Sequence, residues 1–251
     1  IRRKLANDNK PIKYARYAIG EILLVMIGIL LAFQVNSWND QRKRDLLEIS
    51  ILKELKENLM VDIVDIDENV INHRQALKSS KVISSVIEND LPINDSLNNH
   101  FSNLIIVPMF LPTKTAYENL KLTGTRLIEN KSLRLAIIEL YERKYPFLKD
   151  VIDRERVKMY NDLDGFYRKE FSSIDFFGES YPVNLEDLIS NQLYSNYVNY
   201  QKTISKFILA RYENTKDEIG RLGKTFNEMT QQLNESFKNL EAQIIETKNA
   251  E

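Results

Sequence analysis

Few residues in this chain have the type and spacing to do chemistry, and the most unusual is a carboxylate in an apolar setting. Glu21 opens EILLVMIGILLAF, whose unbroken apolar part runs from Ile22 to Phe33. A carboxyl inside the edge of a hydrocarbon layer costs on the order of 2.5–3.5 kcal/mol at mid-helix and less near the interface, so it needs a partner or a route to the headgroups. Elsewhere, Asp62, Asp65, Asp67 and Glu68 form an acidic run of a kind that can hold a divalent cation. On a helix Asp62 and Asp65 share an edge while Asp67 points elsewhere, and no Gly turn wraps a loop around an ion, so a solvated helix face is expected. The two histidines, His73 in an apolar stripe and His100 in a polar turn, would need carboxylates from distant segments to make a zinc site. No metal or cofactor is expected.

The nucleophiles and phosphate cradles of common enzymes are missing. There is no Cys, no Gly-rich phosphate loop, no Gly-x-Ser-x-Gly elbow and no His-Glu-x-x-His helix. Catalysis is therefore disfavoured. An aromatic-rich patch, Tyr160, Phe166, Tyr167, Phe171, Phe176, Phe177 and Tyr181, has the makings of a ligand pocket, but such clusters more often form core or inter-helix contacts. A formal net charge of -1, with no basic stripe interleaved with aromatics, argues against a nucleic-acid partner, which requires cations to displace counterions from phosphates.

The elements that must position these residues follow from composition. Only 7 Gly and 6 Pro occur in 251 residues, so helices have few places to stop and long uninterrupted ones are expected. From Tyr17 to Trp38 the chain is long enough to span about 30 Å of hydrocarbon at roughly 1.5 Å per residue, with those two aromatics at the interfaces. A cleaved signal peptide fits less well, because Glu21 and Gln34 interrupt the pattern and no small-residue cleavage site follows Phe33. A buried core helix of a soluble protein is the other alternative. Arg2, Arg3, Lys4, Lys10, Lys13 and Arg16 before the span outnumber Arg42, Lys43 and Arg44 after it, which favours a cytoplasmic N-terminus and an exported C-terminal domain. Helical spacing from Glu21 places Val25, Gly28, Ala32 and Val35 on its face. The small pair Gly28 and Ala32 suits close helix–helix approach, with Glu21 hydrogen-bonded across it; the alternative is that Glu21 snorkels to the headgroups.

Beyond Asn39 and Asp40, Leu52, Leu55, Leu59, Ile63, Ile66, Val70 and Leu77 recur at steps of three and four, with His73 filling one gap, and no Gly or Pro intervenes before Pro92. The helix is expected to leave the membrane almost without a break. Phe101 to Phe110 reads as a helix or short strand. Thr113 or Thr115 should cap a short helix ended by Gly124, and another helix runs from Asn130, resuming beyond Pro146 to about Phe171. Gly178 and Pro182 mark the next break, and the chain is helical after Leu185. In the last stretch Ile208, Tyr212, Thr215, Ile219, Leu222, Phe226, Met229 and Leu233, then Phe237, Leu240 and Ile244, form a coiled-coil seam with a discontinuity near Leu233. Such a seam needs a partner, either the first soluble helix or a copy of itself.

Two blocks carry a resemblance. GEILLVMIGILLAFQVNSWNDQRK and TKTAYENLKLTGTRLIENKSLRLAIIELYE, the latter from Thr113 to Glu142, resemble a family of uncharacterised single-pass membrane proteins, a domain of unknown function common in Bacteroidota. Its motif positions match here at Gly20, Glu21, Gly28, Gln34, Trp38, Tyr117, Leu120 and Gly124. Where the family has Ser-x-Gly this chain has Leu122, Thr123 and Gly124, so the turn is kept and the serine is not. The resemblance implies an inner-membrane anchor with a periplasmic helical domain, and it brings no activity.

The expected fold is all-α, a transmembrane helix continuing into an antiparallel helical bundle with a long C-terminal coiled-coil helix. The expected divisions are a cytoplasmic segment 1–16, a span 17–38, a soluble domain 39–200 and a coiled coil 201–251. The leading functional expectation is a homo-oligomeric scaffold of the bacterial envelope, partnered by the lipid bilayer and by other envelope proteins. A ligand-sensing bundle acting through a membrane partner is the alternative, and a pore lined by Glu21 is disfavoured because one carboxyl on an apolar helix offers no hydrated route.

Overall fold

Scarcity of Gly and Pro translates into length. The computed structural model of the protein describes the backbone of residues 11–249 and the side chains of residues 15–235 and of Lys238, and it is all-α. Helix α1 runs without interruption over Pro11–Asn89. Between it and the final helix α8, Gln192–Asn249, lie α2 (Asn98–Ile105), α3 (Thr115–Thr123), α4 (Lys131–Glu139), α5 (Tyr145–Lys158), α6 (Asp164–Glu170) and α7 (Leu185–Ser190). A hairpin, β1 (Phe171–Ser173) with β2 (Tyr181–Pro182), pairs antiparallel with a bulge between Phe171 and Ser173. Gly178 and Pro182 therefore mark a hairpin rather than a simple break. Arg2, Arg3, Lys4, Lys10 and the side chain of Lys13 lie outside the described residues, as do the side chains of Phe237, Leu240 and Ile244.

Local chemistry explains most of the helix ends. Helix α1 stops at Asn89 because Asp90 takes a left-handed φ of 49° and the Leu91 N–H turns back to the Val86 carbonyl at 3.2 Å, a Schellman closure built on Asp instead of Gly. Asn130 caps α4 by accepting from the Leu133 N–H, and Asn184 caps α7 by accepting from two backbone N–H groups. Helix α3 departs from expectation at its start: neither Thr113 nor Thr115 caps it, and Lys114 occupies the cap position without a side-chain bond. Its end is as expected, with Gly124 at φ 103° donating to the Leu120 carbonyl.

Pro146 does not break the chain's course. In an α-helix its ring would collide with the carbonyl four residues back and leave it without a donor. The preceding turn, Leu140–Lys144, is π-helical, with the Tyr145 N–H bonded to the Leu140 carbonyl, and this wider turn lets the helix pass the proline. A second π-helical turn, Met159–Leu163, joins α5 to α6.

The chain divides into two units, one of Ile1–Ser50 with Leu233–Glu251, the other of Ile51–Gln232. In the first, every large apolar side chain from Tyr17 to Val35 is exposed, Leu24 at 73% and Phe33 at 71%, and no residue of the most apolar 18-residue window is buried. The helix is long and apolar enough to cross a membrane. Immediately after it, Arg42 lies over the Trp38 ring at 6.0 Å and Gln41 donates to Asp45 at 2.8 Å.

The second unit holds two apolar cores. One gathers Leu52, Leu55, Leu59, Ile66 and Val70 of α1 with Leu120, Leu133, Ile137, Leu148 and Ile152, and with Ile208, Tyr212, Ile219, Leu222 and Phe226 of α8. The other gathers Ile83 and Val86 with Phe101, Leu104, Met159, Tyr167, Phe171, Tyr194, Tyr197 and Val198. The C-terminal seam from Ile208 to Phe226 is thus buried by its own chain.

Candidate functional site

Polar groups buried in this second unit are where function can reside, since burying them without purpose lowers stability. The first set surrounds Asp62. It is 1% exposed, accepts from the Tyr145 hydroxyl at 2.6 Å and from the Thr113 N–H at 2.7 Å, and its neighbour Asp65 accepts from the Leu111 N–H at 3.2 Å. The expectation of a solvated acidic face fails here. The run lies against the strand-like segment after α2, where two backbone N–H groups without helical partners need acceptors, and α1 supplies carboxylates to them. Burial pushes the Asp62 carboxyl above its ordinary 3.8, with the Tyr145 and Thr113 hydrogen bonds acting in the opposite direction. Asp67 pairs instead with Lys216 of α8.

Around Asp62 stands an aromatic ladder. Tyr117 stacks on Tyr141 with centroids 4.5 Å apart, Tyr141 meets Tyr145 edge-on, Tyr145 meets Phe110, and Phe110 meets Tyr212. Tyr212 in turn contacts His73 at 5.9 Å. Burial lowers the His73 imidazole to about 4, so it is neutral at physiological pH. No cluster of three or more potential metal ligands occurs among the described residues.

His100 lies within α2 rather than in a turn, with its Nδ1 2.9 Å from the Ser79 hydroxyl. The aromatic patch divides. Tyr167 and Phe171 are core, with Phe166 packed against it, whereas Tyr160, Phe176, Phe177 and Tyr181 are exposed, Phe177 fully so. Ile105, Val107, Met159, Tyr160 and Phe176 line a cavity of about 310 Å³, so part of the patch does border a pocket.

A second cavity, of about 270 Å³, lies between α5, the π-helical turn and α8, lined by Glu155, Lys158, Met159, Leu193, Tyr197 and Tyr200 among others. Glu155 is buried, at 6% exposure. Its Oε1 accepts from the Tyr200 hydroxyl and faces Lys158 Nζ at 3.6 Å, and Lys158 donates to the same hydroxyl at 2.7 Å. The Tyr197 hydroxyl accepts from Gln201 at 3.0 Å and donates to the Leu104 carbonyl at 2.6 Å. Residue-by-residue inspection of the sequence missed this group. Glu155 sits among charged neighbours in DRERVK, and only its place in the apolar spacing Leu148, Ile152, Glu155, Met159 signals burial.

The residues singled out in the apolar helix are placed as follows. Val25, Gly28, Ala32 and Val35 are exposed and Glu21 partly so, and a Cβ added at Gly28 would meet nothing within 4 Å. Of the seam residues, Ile219, Leu222 and Phe226 are buried and Met229 packs partly against the same core, while Leu233 is half-buried.

A family of unknown function (DUF6090) matches residues 21–163, more than half of the chain. That stretch contains the second motif block whole, where Tyr117 and Leu120 are buried and Gly124 makes the turn, while Leu122 is 88% exposed. No curated protein and no solved structure matches the chain.

Proposed function

We propose that this chain, which belongs to the family of unknown function DUF6090, is a membrane-anchored, non-enzymatic scaffold of the bacterial envelope. Residues 17–38 cross the inner membrane, with the N-terminus cytoplasmic and the helical bundle periplasmic. One observation carries the reading: the only helix among the described residues long and apolar enough to cross a membrane has none of its most apolar window buried. The thirteen exposed large apolar side chains from Tyr17 to Val35 would be an aggregation site in water, whereas in lipid they need no protein cover. Self-association rests on the face of Glu21, Val25, Gly28, Ala32 and Val35, where small residues permit close packing. The part of the seam from Ile219 to Phe226 closes within the chain and gives that association no support.

Fractionation of cells expressing the full chain tests the anchor. The protein is expected in the membrane pellet and released only by detergent, and recovery in the aqueous fraction refutes it. Mass measurement in mild detergent tests the assembly: Gly28→Leu with Ala32→Leu should shift the particle toward monomer, and an unchanged or already monomeric mass overturns the scaffold. A second reading, a ligand-binding bundle acting through a membrane partner, is favoured by the cavity that Glu155 lines.

A further inference from the structure

The Glu155 cavity has a definite chemical preference. Every hydrogen bond and ion pair of this carboxylate goes to Oε1, through Tyr200 and Lys158, so Oε2 accepts nothing among the described residues. A carboxylate oxygen that borders a cavity and has no donor from the surrounding side chains is an acceptor that a ligand entering the cavity can use. The charges on the lining are Glu155, Asp162 and Lys158, an acidic excess of one. Lys158 already seats an ammonium here: its side chain is 53% exposed, and its Nζ donates to the Tyr200 hydroxyl at 2.7 Å, faces Glu155 at 3.6 Å and lies over the Tyr200 ring at 4.7 Å, contacts that a ligand ammonium entering from the cavity would take over as Lys158 turns to solvent. The remaining wall is apolar, from Met159, Leu163, Leu193 and the Tyr197 ring.

We propose that this cavity binds a primary organic ammonium with a compact apolar body. Its N–H groups bond to Glu155 and the Tyr200 hydroxyl where Lys158 Nζ rests, and its hydrocarbon part lies on Met159, Leu163 and Leu193. The assignment deepens the ligand-binding reading and is independent of the membrane anchor, since every residue in it belongs to Ile51–Gln232. Anions are excluded by the carboxylate excess. A divalent metal ion would require more oxygen ligands than this lining gathers, and the described residues contain no cluster of three or more such ligands. A neutral apolar molecule would fill the cavity but leave Oε2 without a donor.

The test is calorimetric titration of the full-length protein in detergent at neutral pH with 2-phenylethylammonium, using phenylacetate as the anion of matching body and ammonium chloride as the head without a body. Saturable binding of 2-phenylethylammonium is expected, with phenylacetate at least about tenfold weaker and ammonium chloride silent at the same concentrations. Glu155→Gln should weaken binding about tenfold or more, and Lys158→Met should strengthen it about threefold by removing the resident competitor. The proposal is overturned if 2-phenylethylammonium fails to bind both the natural chain and Lys158→Met, if Glu155→Gln binds as well as the natural chain, or if phenylacetate binds equally. Should Glu155→Gln not fold, the Lys158→Met and phenylacetate comparisons decide the matter. Absence of binding in a protein that still pellets with membranes would remove this assignment alone and leave the anchor standing.

Discussion

Replacing Asp62 by Ala and by Asn separates two contributions that the buried carboxylate combines. In Asp62→Ala the Tyr145 hydroxyl, fully buried and bonded to Asp62 at 2.6 Å, loses its acceptor, at a cost of about 1–3 kcal/mol. The Thr113 N–H, held at 2.7 Å, adds about 1 kcal/mol because its loop can partly recruit water. The void where the carboxylate stood adds about 1 kcal/mol, and relief of the desolvated charge offsets part of the sum. A net loss of about 2–3 kcal/mol results, which for a unit the size of Ile51–Gln232 lowers Tm by roughly 5–10 °C. Asp62→Asn keeps the shape, an oxygen for Thr113 and a polar partner for Tyr145, and should stay within about 1 kcal/mol of the natural chain at neutral pH. The pH dependence adds a third readout. Burial raises the folded-state pKa above the ordinary 3.8, so the folded chain holds this proton to higher pH than the unfolded chain does. The associated stability is full below 3.8 and is lost as pH rises through the folded value, a decline that Asp62→Asn should abolish. Thermal unfolding followed by far-ultraviolet circular dichroism measures all three. A Tm change below about 2 °C for Asp62→Ala, or equal losses for Ala and Asn, would refute the assignment of Asp62 as the acceptor that closes this loop.

His73 carries the opposite pH sign. Its folded pKa of about 4 lies below the ordinary 6.5, so the unfolded chain binds the extra proton first and stability falls as pH drops across that window, by up to about 3 kcal/mol. His73→Phe should flatten the slope in urea titrations across the same range, and an unchanged slope would exclude this residue as its source. At the two left-handed positions the signs differ. Gly124→Ala, at φ 103°, should cost about 1–2 kcal/mol, while Asp90→Gly, at φ 49°, should add about 0.5–1 kcal/mol by removing a Cβ from the Schellman turn. Phe226→Ala should lose about 3–5 kcal/mol, the same loss at every protein concentration. A loss that changes with concentration would place the seam between chains instead.

Helix identity was legible because it rests on local signals. The step pattern from Leu52 to Val70 is buried as the spacing requires, Ile63 only partly so, and Asn130 and Gly124 sit at the helix ends that their chemistry favours. What the sequence hid was tertiary demand on polar groups. Asp62 and Asp65 look like surface residues until the backbone of Leu111 and Thr113 arrives beside them without partners of its own. The seam was ambiguous for a related reason: spacing reports that a stripe needs covering, and only the fold names the cover. For Ile208 to Phe226 the cover is the apolar face of α1 and α5 within one chain.

The two π-helical turns account for a further part of what spacing cannot show. A seven-residue step along an α-helix from buried Met159 falls on Phe166, yet the fully enclosed ring is Tyr167, followed four residues on by Phe171. The Asp164 N–H reaches back to the Met159 carbonyl, and the extra residue in that turn rotates everything after it by about 100°, one α-helical position. That rotation turns Tyr167 toward the second core, which Phe171 joins from the start of β1. It also leaves Met159 at the widened turn, where it borders both cavities. Pocket and phase slip therefore share one element: Met159, Asp162 and Leu163 of the wide turn line the space beside Glu155, opposite Leu193 and Tyr197 of α8.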